Sequence, residues 1–182
     1  LPGDAPTVTF YLDDDERILE IFRYCNIHSL WGNEVNEDLT SNTLLTINLN
    51  ESGISRDDYL KLFKLFLLDN PQYYFLSRTI SVSAHFAQLT VDSDYLKGDV
   101  RLQINSDIDL LVQNCAKTLT IGENNLSRYL AIHDYVDSIM DYAYATDGTP
   151  SDEVWAHNIV GATIGSGVCQ SYADTFDFLC TT

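Results

Sequence analysis

The groups in this sequence that could do chemistry are four cysteines, four histidines and a surplus of carboxylates. One cysteine is set apart by its neighbours. The stretch Gly165-Ser166-Gly167-Val168-Cys169-Gln170-Ser171-Tyr172-Ala173 brings two glycines up to a thiol. Behind it, Tyr172, Ala173, Phe176 and Leu179 recur at helical spacing through residues 171–180. The pattern predicts a loop that delivers Cys169 to the first turn of a buried helix. There, unpaired backbone N–H groups and the positive helix end favour thiolate over thiol. The same N–H groups can hold a developing oxyanion. The chemistry expected of such a group is attack on a carbonyl carbon, and Cys169 is the candidate catalytic residue.

A cysteine nucleophile needs a base, usually histidine, and a third group to orient it. His133 falls on the apolar stripe of a predicted helix and reads as a satisfied core histidine. His157, twelve residues before Cys169, reads as a structural hydrogen-bonding residue. His28 and His85 have no link to the thiol, and no histidine follows Cys169. Asp134, Asp137 and Asp141 sit three and four apart, the mark of a solvated helix face rather than a catalytic pair. Cys25, Cys115, Cys169 and Cys180 fit no zinc spacing. On one helix, Cys169 and Cys180 would be separated by roughly 16 Å of rise, too far for a disulfide. The remaining cysteines read as buried small hydrophobes, with a bridge between Cys25 and Cys115 as the alternative. There is no EF-hand, metal cluster or phosphate-binding glycine loop, so neither metal nor cofactor is expected. Asn50-Glu51-Ser52 and Asn125-Leu126-Ser127 are glycosylation sequons, a pattern short enough to arise by chance.

Composition bounds the setting. With 45% hydrophobic residues in 182, the chain can bury one sizeable core or two small ones. The net charge of −17, with ten Lys and Arg spread through the chain, argues against nucleic-acid binding. No apolar run approaches the ~20 residues of a membrane span. The longest candidate, Leu65-Phe66-Leu67-Leu68, is flanked by Lys64 and Asp69. The chain opens at Leu1 rather than Met, and residues 1–6 read as a mature N-terminus or a boundary, so an extracellular or cell-surface location is expected.

The positioning elements follow from periodicity. A strand is predicted over 7–12 and a helix over 16–25, started by Asp13-Asp14-Asp15. Residues 26–42 read as loop and 43–49 as a strand. Ser55-Arg56-Asp57-Asp58 resembles a capping box for a helix to about 68, ended by Asp69-Asn70-Pro71. Residues 73–76 read as extended or turn, and 80–89 as one alternating strand. A helix is predicted over 105–118, with Ile108, Leu111, Val112 and Cys115 inward, broken at Ile121-Gly122. A stronger one is predicted over 125–142, with Leu126, Tyr129, Leu130, His133, Val136, Ile139 and Met140 as its buried stripe. Residues 146–151 form a turn and 156–164 a connector into the cysteine helix.

Three motifs together resemble the bacterial transglutaminase-like superfamily. They are Ile132-His133-Asp134-Tyr135-Val136, then Ala156-His157-Asn158-Ile159-Val160-Gly161-Ala162, then Gly167-Val168-Cys169-Gln170-Ser171-Tyr172-Ala173-Asp174-Thr175-Phe176. The likeness is sharp over about 128–180 and loose over 55–127, where Leu68-Asp69-Asn70-Pro71 looks like a turn preceding the core. Ser171 stands where glycine is commoner. The resemblance implies a papain-like α+β fold. Residues 1–90 would be an accessory strand-and-helix region, and 91–182 the mostly helical first half of the core. It implies Cys169 as the nucleophile of a cysteine protease or acyl transferase, acting on a peptide or protein amide through a thioester. Family members draw their catalytic His and Asp from strands after the cysteine, and residues 170–182 hold no such histidine. The chain is therefore expected to be a truncated piece of a secreted bacterial protein, inactive by itself, and to self-associate through an uncovered core face. The alternative is a non-catalytic binding or scaffold module of a cell-surface protein. Another papain-like family, of cell-wall peptidases, usually places Asp before its cysteine, and Val168 stands against it.

Overall fold

The computed structural model describes residues 37–120 and 124–182. The strand expected over 7–12, the helix over 16–25, Cys25 with its alternative bridge, His28 and the break at Ile121-Gly122 lie outside the described residues. The architecture is α+β and mostly helical. In order, the elements are β1 (Thr43–Asn48), α1 (Leu49–Ser52), α2 (Arg56–Asp69), β2 (Ser81–Val82), β3 (Phe86–Thr90), α3 (Gly98–Ala116), α4 (Asn125–Ile139), β4 (Asp141–Tyr142), α5 (Val160–Ile164), β5 (Ser166–Gly167) and α6 (Cys169–Thr181). Among the described residues, 37–68 with Phe75–Leu102 form one compact unit, and Asp69–Tyr74 with Gln103–Thr182 a second.

The first unit holds a three-stranded antiparallel sheet in the order β1-β3-β2. Leu45 faces Leu89 and Ile47 faces Ala87 across β1 and β3. Leu45, Ala87 and Leu89 are buried, as are Tyr59, Phe63, Phe66 and Leu67 along one face of α2. The cap expected for α2 forms in an altered way. The Asp58 N–H donates to Ser55 Oγ at 3.1 Å, and that hydroxyl donates to the Asp58 carboxylate at 2.6 Å. The single strand expected over 80–89 is two strands with a turn between them. Ser83 Oγ accepts the N–H groups of His85 and Phe86, so a side chain takes over donors that a strand would have used.

Helix α3 begins at Gly98, seven residues before the expected start, because a distant residue caps it. Asp38 Oδ1 accepts the Gly98 N–H at 3.0 Å, and Lys97 Nζ reaches Asp38 Oδ2 at 2.6 Å. These hydrogen bonds hold the Asp38 carboxyl below the usual carboxylate range. Three residues into the helix, Arg101 is almost fully buried. Its guanidinium donates to the carbonyls of Tyr95 and Glu37.

Tyr59 is 1% exposed, stacks on Phe63 at 6.0 Å, and has a hydroxyl with no hydrogen-bond partner. Burial alone pushes its ionisation up. A desolvated, unpaired hydroxyl opposes folding, so Tyr59→Phe is expected to stabilise the protein by about 1 kcal/mol in urea denaturation. Because the folded state keeps the proton longer than the unfolded one, stability falls as pH rises above about 10. Tyr59→Phe should flatten that fall, and a slope unchanged by the substitution would show that the phenol is already solvated.

In the second unit, α3 buries Ile108, Leu111 and Cys115, and the Tyr135 hydroxyl of α4 donates to the Leu111 carbonyl at 3.3 Å. The reading of α4 is corrected in two ways. The helix ends at Ile139; Met140 is extended, and Asp141 and Tyr142 pair in parallel with Ser166 and Gly167 of β5. The buried side is Ile132 and Val136, while Leu126, Tyr129, Leu130 and His133 are exposed. The helix carries apolar residues on two faces, so periodicity cannot say which one is covered. Among the described residues no helix is long and apolar enough to cross a membrane.

Candidate functional site

Cys169 is placed by strand β5, which is held from both sides. On one side Gly165 O accepts the Asp141 N–H at 3.0 Å and Gly167 O accepts the Ala143 N–H at 3.0 Å. On the other, Val168 N–H donates to Ala156 O at 2.9 Å, in the 3-10 turn Val154–His157. Val168 also packs with buried Ala143 and Ala156, with Trp155 against them. The approach depends on Gly165, whose φ of +83° closes α5 in the left-handed region and turns the chain into β5.

Val168 is extended (φ −90°, ψ 178°), and Cys169 is the first residue of α6. No side chain caps this helix start. The N–H groups of Ser171 and Tyr172 turn back to Val168 O at 2.9 and 3.3 Å, which leaves the leading N–H groups without an intrahelical acceptor. The Cys169 side chain is exposed. An exposed thiol over the positive end of a thirteen-residue helix can act as a nucleophile and finds oxyanion donors beside it.

Close packing fixes that helix end. A Cβ on Gly161 would lie 2.3 Å from Ser171 Oγ and 2.7 Å from Ser166 O. A Cβ on Gly167 would lie 2.5 Å from both Cβ and Oγ of Ser171. Two glycines thus make room for one serine, which is fully buried with its hydroxyl unpartnered. The buried face of α6 is Ser171, Asp174, Thr175 and Leu179. Of the expected stripe, Leu179 is buried, Tyr172 and Phe176 are half-buried and Ala173 is exposed. Reading apolar periodicity passes over such polar positions. Here Thr175 Oγ1 donates to Ser171 O at 2.7 Å, and Gln170 Nε2 donates to Asp174 Oδ1 at 2.6 Å. Tyr172 donates its hydroxyl to Met140 O at 2.8 Å and ties α6 to the end of α4.

Neither described histidine of the second unit meets the thiol. His157 makes the structural bond expected of it, with Nε2 donating to Ser151 O at 2.9 Å. Its neighbour Asn158 donates to Val154 O and accepts the Val160 N–H, joining the 3-10 turn to α5. His133 is a surface residue with Nδ1 3.2 Å from Asp134 Oδ1, not a core histidine. His85, in the first unit, faces Asn50. Burial pushes up both the Cys115 and Cys180 thiols. Among the described residues no cluster of His, Cys, Asp and Glu could hold a metal ion.

No protein-family model matches the chain, and no curated protein and no solved structure matches it.

Proposed function

We propose that this chain carries the nucleophile of a transglutaminase-like cysteine enzyme. Cys169 attacks a peptide amide carbonyl, the tetrahedral oxyanion rests on the leading N–H groups of α6, and a thioester forms as the amine leaves. Water or a second amine then releases the acyl group, giving proteolysis or transamidation. The reading is carried by one observation: an exposed cysteine at the first position of a long helix, reached through a strand held on both sides. The quoted motifs support it because each falls on an element that builds or braces this helix end. In this reading the described residues supply the nucleophile and oxyanion donors without the base, and the protein is extracellular. The exposed Leu126, Tyr129 and Leu130 on α4 favour self-association through that face.

That neither described histidine of the second unit bonds Cys169 favours a second reading, a non-catalytic binding or scaffold module. An activated acyl donor separates the two, because a thioester expels a thiolate, which leaves without the proton that a departing amine requires. Incubation with a peptide thioester is expected to leave one acyl group on Cys169, located by peptide mass mapping. Acylation spread evenly over all cysteines, or none at Cys169, would leave the module reading.

A further inference from the structure

The segment 141–145 has one edge occupied and one edge on which no described residue pairs. On the occupied edge, Asp141 and Ala143 donate to Gly165 and Gly167, Ala143 O accepts the Ser151 N–H, and Ala145 N–H donates to Thr149 O. Successive residues of a strand direct their backbone groups to opposite edges. Tyr142 and Tyr144 therefore turn their N–H and C=O groups to the other side, where no described residue takes them. Unpaired backbone groups are tolerated where water or an incoming strand can reach them. The side chains agree: Ala143 is buried, while Tyr142 and Tyr144 are 38% and 65% exposed. The two rings lie 5.0 Å apart and form a short aromatic surface beside the open edge.

The stretch of chain that carries this edge has charge of one sign. From residue 129 to 182 the chain holds seven Asp, one Glu and no Lys or Arg. Asp141 stands at one end of the segment and is exposed. Asp147 stands in the turn beyond it, its carboxyl held below the usual range by hydrogen bonds from Thr149. Nothing blunts the edge in the usual way, since it carries no lysine and no proline.

We propose that the open edge at Tyr142 and Tyr144 is a docking site for an extended, lysine- or arginine-bearing peptide, which adds to β4 as a strand. Backbone pairing holds the peptide, the tyrosine rings lie against its cationic side chains, and the carboxylates of Asp141 and Asp147 select positive charge. The site goes beyond the thiol chemistry and does not depend on it.

The test is fluorescence anisotropy of the full chain with a labelled hexapeptide of alternating valine and lysine at low salt. Saturable binding is expected. N-methylating alternate residues of the probe keeps its charge and removes its strand donors on one edge. Methylation in one of the two registers should weaken binding about tenfold, the factor carried by one or two hydrogen bonds. Replacing lysine with glutamate in the probe should abolish binding. Tyr144→Pro deletes an outward N–H that no described residue accepts, and it should weaken binding to a similar degree. Absence of binding by the parent probe would overturn the proposal. So would equal binding by both N-methylated registers and the parent, which is the behaviour of charge alone. Retained binding by the glutamate probe would do the same.

Discussion

Gly167→Ala is expected to destabilise the protein by about 2 to 3 kcal/mol, and Ser171→Gly in the same chain to restore most of that loss. The new methyl would sit 2.5 Å from Ser171 Cβ and Oγ, contacts that only movement of α6 away from β5 could relieve. Its third neighbour, Met140 Cε at 2.9 Å, ends a flexible side chain and can swing aside. Removing the serine side chain therefore removes the main conflict, and with it a buried hydroxyl that has no partner. Gly161→Ala makes the control. Its methyl would meet Ser171 Oγ at 2.3 Å, but also the backbone oxygen of Ser166 at 2.7 Å. Ser171→Gly should rescue it only in part, since a carbonyl cannot be substituted away. Thermal unfolding of the single and double variants measures both couplings. Rescue of neither glycine variant would mean that α6 does not rest on Gly161 and Gly167 through Ser171, and equal rescue of both would mean that the Ser166 carbonyl does not obstruct the Gly161 methyl.

Arg101→Leu is expected to cost about 3 kcal/mol in chemical denaturation. The guanidinium is buried and serves the carbonyls of Tyr95 and Glu37 from separate nitrogens. Leucine fills much of the space but takes the guanidinium donor from both oxygens, that of Tyr95 in a buried site. Arg101→Lys should fall between the two, because an ammonium on a flexible stem cannot reproduce the fork. Full stability of Arg101→Leu would show that water replaces the guanidinium, and the buried cation would then have no structural role.

What the sequence revealed depended on how local each cause is. Ser55 and Asp58 cap α2 across one turn, so its start could be read from four residues. Asp38 caps α3 from sixty residues away, so nothing near Gly98 announced that the helix expected from 105 begins there. Ser83 divided an alternating run because its hydroxyl captured two backbone donors, a choice that alternation does not encode. The start of α6 at Cys169 was legible, since glycines before a periodic run mark a helix entry. The face that α6 buries was not. Ser171 goes inward because Gly161 and Gly167 leave a slot that suits a small side chain, Thr175 on the same face bonds back to Ser171 O, and that slot exists only after α5 and β5 have folded. His133 was misplaced for a related reason. Burial on α4 follows Ile132 and Val136, four apart, and not the longer apolar run beginning at Leu126.

The central claim is that the end of α6 makes Cys169 the reactive thiol of this chain. Competitive alkylation tests it most directly: limiting iodoacetamide near neutral pH, quenched over a time course, with each cysteine quantified by peptide mass spectrometry. Cys169 is expected to label at least about tenfold faster than Cys115 and Cys180, whose thiols burial holds in the protonated form. Labelling of Cys169 at or below the rate of those two would contradict the account, because neither exposure nor the helix end would then be activating it.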